Sequence, residues 1–320
     1  MHELRCFGIL GCAAAALVSL VACGDTGIQL TAHEPAPFAG SSLLADSGPI
    51  AGVNFAVSRR LDDSALDHLQ SSGVAWIALI PFGWQSRFDI PEVQLRTTNV
   101  RWGETDAGLA EIITRARARG IRTLMKPHIW LRQEVTGQWR GTVGFASETD
   151  WQACESDYRT LILHYAALAQ LHDVDMFSVG VELHRAVRER PDFWRGLIDD
   201  VRAVYDGPLT YGANWDGEFT AIQFWDRPVL FTEVGYRSIA GAAIQPWNFT
   251  VRSTVDHQQQ ADAYEALFRT FWGRDWFAGV FLWEWDADIR QDADLSGDDD
   301  FTPQAKLAEA VVRRWFGAGT

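Results

Sequence analysis

Met176-Phe177-Ser178-Val179-Gly180-Val181-Glu182-Leu183 is an almost unbroken apolar run that ends beside a carboxylate. It is too short for an ordinary helix and lacks the alternation of a strand with one wet face, so it reads as a strand buried on both sides of a parallel sheet. Helical spacing flanks it: Thr149 to His172 precedes it, and Asp192 to Tyr205 follows, ended by Asp206-Gly207-Pro208. The same alternation spreads outward. Upstream lie a strand at Gly52-Val53-Asn54-Phe55, a helix from Asp62 to Ser72 stopped by Gly73, and a strand from Val74 to Pro81. A helix from Ala107 to Arg119 and a strand from Ile121 to His128 complete that side. Downstream lie strands at Leu209 to Asn214, Val229 to Glu233 and Gly279 to Trp285, with helices at Gln258 to Trp272 and Gln304 to Phe316. Strands alternating with helices predict an α/β fold of the (β/α)8 TIM-barrel type. Only seven strands are recognisable, so the barrel is expected to be incomplete. Trp215 to Pro228, which joins the fifth strand to the sixth, barely reaches the dozen residues a parallel crossover needs, and a short helix over Thr220 to Trp225 is expected there.

Composition agrees with one large core: the 320 residues are 47% hydrophobic and 22% charged, which excludes a disordered chain. The formal charge of -14 excludes a broad grip on nucleic acid or anionic lipid and points to a neutral partner. Tryptophan is abundant, 15 residues, and its flat amphipathic ring suits a sugar face. At the N-terminus, Arg5 precedes the uncharged run Phe7 to Ala22, the pattern of a signal peptide over residues 1–22. Leu20-Val21-Ala22-Cys23 resembles the bacterial lipobox, which makes Cys23 the expected site of lipidation. Residues 23–49 then read as a flexible tether and 50–320 as the folded domain, a monomer in the bacterial cell envelope that meets the membrane only through its lipid anchor. With Cys6 and Cys12 lost alongside the peptide, Cys154 has no framework partner and is expected to be a structural or surface thiol.

Reacting groups of (β/α) barrels sit at the carboxyl ends of the strands, and here two strands end in glutamate, at Glu182 and Glu233. A buried carboxylate is costly unless paired or used. Two in equivalent places suit a retaining glycosidase, whose nucleophile and acid/base lie about 5 to 5.5 Å apart. At or just past other strand ends stand Lys126, His128, Tyr211, Asn214, Trp215, Tyr236 and Trp283. Trp283 is expected to face the barrel interior and Trp285 the helices, while Trp76, Trp194 and Trp272 are expected in the core. Trp84, Trp130, Trp215 and Trp247 are candidate cleft residues. The acidic stretch Asp292, Asp294, Ser296, Gly297 imitates the start of a calcium loop, but Pro303 occupies the twelfth position, where a bidentate glutamate is required. No metal and no cofactor are expected.

In order along the chain, Lys126-Pro127-His128, Trp139-Arg140-Gly141, Phe177 to Leu183, Tyr211-Gly212-Ala213-Asn214-Trp215, Phe231-Thr232-Glu233-Val234-Gly235-Tyr236-Arg237-Ser238 and Trp283-Glu284-Trp285 resemble glycoside hydrolase family 113. The similarity runs from about Ala51 to Phe316 and includes Phe301-Thr302-Pro303-Gln304. It implies an endo-β-1,4-mannanase-like enzyme with a TIM barrel, Glu182 as acid/base, Glu233 as nucleophile and Trp283 as the platform under the sugar at the cleavage point. His128, Asn214 and Tyr236 would line the same subsite, and the substrate would be a polysaccharide or oligosaccharide such as β-mannan. Glu233 follows Glu182 by 51 residues, too few for two intervening strands with their helices. Two further readings therefore stand beside the first: an impaired barrel that binds glycan, and a glycosidase for another β-glucan.

Overall fold

A computed structural model describes residues 13–14, 48–214 and 228–317. Cys23, Trp215 and the helix expected over 220–225 lie outside the described residues. Seven parallel strands form the barrel: Ile50–Ala56 (β1), Trp76–Leu79 (β2), Arg122–Met125 (β5), Met176–Val181 (β7), Leu209–Ala213 (β8), Val229–Val234 (β9) and Phe277–Asp286 (β10). They pair in the order β8-β7-β5-β2-β1-β10-β9, so β8 and β9 are the ends of a nearly closed ring with no parallel strand between them among the described residues. Ala13–Ala14, from the stretch read as a leader, pair antiparallel with β8 on its open edge. Around the ring lie helices Asp63–Ser71 (α1), Asp106–Arg117 (α2), Glu148–Leu171 (α3), Pro191–Arg202 (α5), His257–Phe271 (α6) and Leu307–Trp315 (α7). Several start on side-chain caps, because the first amides of a helix need acceptors: Asp62, Thr105, Ser147 and Asp256 receive them for α1, α2, α3 and α6.

Strand alternation divides the core in two. One set, including Val53, Ile77, Met125, Phe177, Val179 and Phe231, packs outward against the helices. The other set fills the barrel interior, with Ile50, Trp76, Met176 and Leu230 near the amino ends of their strands and Leu124 and Phe281 packed with them. Two to four residues further along these interior rows the side chains turn polar: Asn54, Lys126, Ser178 and Thr232, all buried. The inner face thus changes from oil to donors and acceptors on the way to the carboxyl ends, which is where chemistry can be housed. Trp76 and Trp194 are core, as expected, and Cys154 is buried among apolar neighbours that push its thiol up to about 12, which makes it a structural thiol.

Elements that the sequence left unmarked extend this carboxyl end. Phe82–Gln85 (β3), Val93–Leu95 (β4) and His128–Leu131 (β6) form a small side sheet, β3 being parallel to β6 and antiparallel to β4, and His184–Glu189 (α4) follows β7. His128 therefore opens a new strand rather than closing a barrel strand. The barrel pair β2/β5 runs on into β3/β6 through hydrogen bonds from Lys126 N to Leu79 O, 2.8 Å, and from His128 N to Pro81 O, 3.0 Å. Pro127 has no N–H to contribute to that ladder, and it falls between the end of β5 at Met125 and the start of β6 at His128.

A close backbone approach holds β10 against β1. Gly279 has φ 129°, and a Cβ on it would lie 2.2 Å from Ile50 N. Gly279→Ala should therefore destabilise the barrel by at least about 2 kcal/mol, read as a lower midpoint in urea unfolding.

Candidate active site

Burial of a charge decides the chemistry of the carboxyl end. Lys126 has no exposed side-chain surface, and its Nζ donates to Glu233 Oε1 at 2.7 Å and to Thr232 O at 3.1 Å. It also stands 5.9 Å from the centre of the Trp283 ring, close enough for a cation–π contact. Glu233 keeps 16% of its side chain exposed and receives a second neighbour, His128 Nε2, 3.1 Å from the same Oε1 though off the line of an ideal hydrogen bond. Burial alone would raise the Glu233 pKa, but Lys126, His128 and Arg140 outweigh it and hold the carboxyl far below the usual range. Glu233 is a carboxylate at any working pH.

The protonation of His128 follows from its other partner. Arg140 Nη1 donates to His128 Nδ1 at 2.6 Å, and because a guanidinium cannot accept, Nδ1 must carry the lone pair and Nε2 the hydrogen. Burial, helped by Lys126 and Arg140, lowers the His128 pKa to about 4, so the ring is neutral and aims its N–H side at Glu233. Arg140 sits on the loop between β6 and α3, in a single 3-10 turn over Arg140–Thr142, and its Nε lies 3.7 Å from Glu182 Oε2. A line of polar contacts therefore joins the two glutamates: Glu182, Arg140, His128, Glu233.

Glu182 ends β7 with φ 54°, a conformation that non-glycine residues seldom adopt. Two successive amides fix it there: Glu182 N donates to Gly212 O at 2.7 Å, and Leu183 N donates to the Tyr211 hydroxyl at 2.8 Å. Asn214 Nδ2 donates to Glu182 Oε1 at 3.3 Å. The outward turn of the carboxylate is thus set by β8, the strand beside it.

Strand irregularities occur at these same places. Pairing slips between Ser178 and Val181 in β7, between Phe231 and Val234 in β9, and between Leu282 and Trp285 in β10. Such slips re-aim side chains. On an unbroken strand Trp283 and Trp285 would share a face, being two residues apart. The slip separates them: Trp285 is buried with its ring 5.0 Å from His68 of α1, whereas Trp283 lies inside, nearly parallel to His128 at 6.5 Å between ring centres.

Lys126, His128, Asn214 and Trp283 thus gather around Glu182 and Glu233, as expected. Two expected sugar-lining residues do not. Tyr211 is buried against Trp194 of α5, with its hydroxyl spent on the Leu183 amide, so it supports the Glu182 turn from behind. Tyr236, 1% exposed, packs edge-on against Tyr264 of α6. Both sit at a strand end but on its helix side. Trp247 is exposed on the loop between β9 and α6. Arg140 and Asn54 were not anticipated from the sequence. Asn54 Nδ2 reaches Thr232 O at 3.1 Å and the carbonyls of Phe281 and Leu282 at 3.3 Å each, tying β1 to its neighbour β10 and to the next strand, β9, below the site, and its signal was a polar residue inside an apolar strand. Glu284 is a third carboxylate at this end. Burial, reinforced by Asp300 and Asp286, raises its pKa to about 7.

The model of Glycoside Hydrolase Family 113 matches residues 56–227 and 220–306. Among solved structures, the GH113 β-mannanase AaManA from Alicyclobacillus acidocaldarius, in complex with ManMIm, is similar over 85% of this chain and 98% of its own, with 28% identity and a TM-score of 0.76. A GH113 β-1,4-mannanase solved as a complex is similar over 85% and 100%, with 23% identity and a TM-score of 0.76. A β-glucuronidase from Faecalibacterium prausnitzii shares the fold at 14% identity and a TM-score of 0.53, over 84% of this chain and 49% of its own. No curated protein matches the sequence.

The third carboxylate gives a pH test. An acid whose pKa is raised from 4.5 to about 7 by folding contributes stability below pH 4.5 that is lost as pH climbs through 7, about 3 kcal/mol in all. Glu284→Gln, which cannot ionise, should match the wild type near pH 4.5 and exceed its melting temperature by several degrees at pH 8 in a calorimetric series.

Proposed function

The chain belongs to glycoside hydrolase family 113, and from that membership we propose that it is a retaining glycosidase of β-1,4-mannan, with Glu233 as nucleophile and Glu182 as acid/base. The observation that carries the assignment is the clamping of Glu233. A buried ammonium and a neutral imidazole N–H hold it and keep it ionised, which suits a nucleophile. Glu182, which has the Asn214 amide at 3.3 Å and the Arg140 guanidinium at 3.7 Å among its neighbours, then takes the part of the group that gives and takes a proton.

In the first half of the reaction a Glu233 oxygen bonds to the anomeric carbon while the bond to the leaving oxygen breaks, and Glu182 supplies the proton that oxygen needs. Glu182, now ionised, then takes a proton from water as the water oxygen displaces Glu233 and returns the sugar with its original configuration. Lys126 and His128 share the negative charge of Glu233 before attack and receive it again on release, and the Trp283 ring, held flat by His128, gives the sugar an apolar face to rest on. The mannan substrate is supported by the mannanase with which this chain is 28% identical. We propose further that residues 1–22 are a leader, that Cys23 is lipidated, and that residues 23–49 tether the domain to the cell envelope. The start of β1 at Ile50 and of the family match at residue 56 support that division.

Residues 24–320 incubated with mannan, glucomannan and cellulose should release sugar from mannan foremost, with the β-anomer as first product by proton NMR. Glu233→Gln should lower turnover by at least about a thousandfold. An α-anomer as first product would remove the retaining assignment, and a folded protein that binds mannan without cleaving it would make the barrel a binding module. For the anchor, the full-length chain expressed in a bacterium should incorporate radiolabelled palmitate and Cys23→Ser should not; label retained by the variant would sink the lipidation site.

A further inference from the structure

The side sheet has two unlike faces. Gly83 and Ile129 turn towards α3, where a Cβ on Gly83 would strike Leu161. The other face carries Phe82 and Trp84 of β3 and, paired opposite them, His128 and Trp130 of β6. These rings make a continuous series that begins at the catalytic group. Trp283 lies 6.5 Å from His128, His128 lies 6.0 Å from Phe82, Phe82 lies 5.5 Å from Trp130, and Trp130 lies 6.3 Å from Trp84. Arg96 covers Trp84 at 6.0 Å, so the last two rings are braced on their sheet. Trp130 is 48% exposed even so. A large ring that is braced by two aromatic neighbours, left half in water and connected ring by ring to the nucleophile calls for an occupant, and a pyranose, with apolar C–H faces and a hydroxyl rim, matches it.

We propose that Trp130, braced by Phe82 and Trp84, is a remote sugar platform: a further unit of the same mannan chain stacks on it while the scissile unit rests on Trp283. The inference rests on the proposed function, and adds that the enzyme selects long segments of polysaccharide over short oligosaccharides. The side sheet thereby becomes a specificity element, since in the ring series Trp130 is linked to His128 through Phe82.

The test compares chain lengths. On mannohexaose, Trp130→Ala should lower kcat/KM about tenfold through KM, the worth of one good stacking contact, with kcat held. On mannotriose it should match the wild type, and Trp130→Phe should recover most of the loss on mannohexaose. A loss equal at both lengths, or none at either, overturns the platform and leaves the mannanase assignment standing. Affinity electrophoresis in mannan, with Glu233→Gln as the parent protein, reads the same contact without cleavage: the parent should be retarded and its Trp130→Ala derivative much less so, and equal retardation overturns the platform. A folded wild type that neither cleaves nor is retarded by mannan overturns the proposed function and the platform together.

Discussion

A lysine ammonium with no access to water is tolerable only beside a carboxylate that has also been drawn inward, and the site is arranged around that one pair, Lys126 and Glu233. Neither could stay where it is without the other. Burial keeps His128 neutral against the pull of Glu233, with Lys126 adding to the effect, so that ring presents its N–H side to the carboxylate and a flat face to Trp283. Arg140 completes the group by satisfying the remaining imidazole nitrogen and reaching towards the second glutamate. The ion pair sets the charge of the site, burial keeps the imidazole neutral, and Arg140 sets its tautomer.

Regular strands could not have presented these groups. In a strict β ladder neighbouring residues point to opposite faces, so a glutamate directly after the inward Thr232 belongs on the helix side. The slips in β7, β9 and β10 remove that constraint at the level where Glu182, Glu233 and Trp283 stand, while the lower barrel keeps its alternation and its packed interior. The barrel below is the rigid support, and the irregular ends above it direct the reactive side chains.

The legible and illegible parts of the sequence divide along the same line. Seven strands and their helices could be read because each is an apolar run or a helical stripe bounded by caps and turns, and the bounds agree to within a few residues. Glu182 and Glu233 were visible because a carboxylate that ends an apolar run is expensive unless it has a task. Tyr211 and Tyr236 were misplaced because a position at a strand end fixes the height of a residue, whereas the face it takes depends on where the ladder slips. Trp283 and Trp285 came apart for that reason too. Arg140 stood within the segment Trp139-Arg140-Gly141 but without a role, since it reaches the site from a loop whose path no periodicity encodes. The side sheet was hidden because the expected strands were stopped at Pro81 and His128, although the ladder passes beyond them.

That continuing ladder has a consequence for how the protein opens. Cleft walls made of loops can loosen while the scaffold stays folded, and amide exchange then reports a fast local event. Here the amides of Lys126 and His128 are bonded to the strand next door, in the same ribbon as β2 and β5, so the wall and the barrel form one cooperative unit. The amides of β3 and β6 nearest the barrel are therefore expected to exchange together with those of β2 and β5, rather than as a separate, faster set.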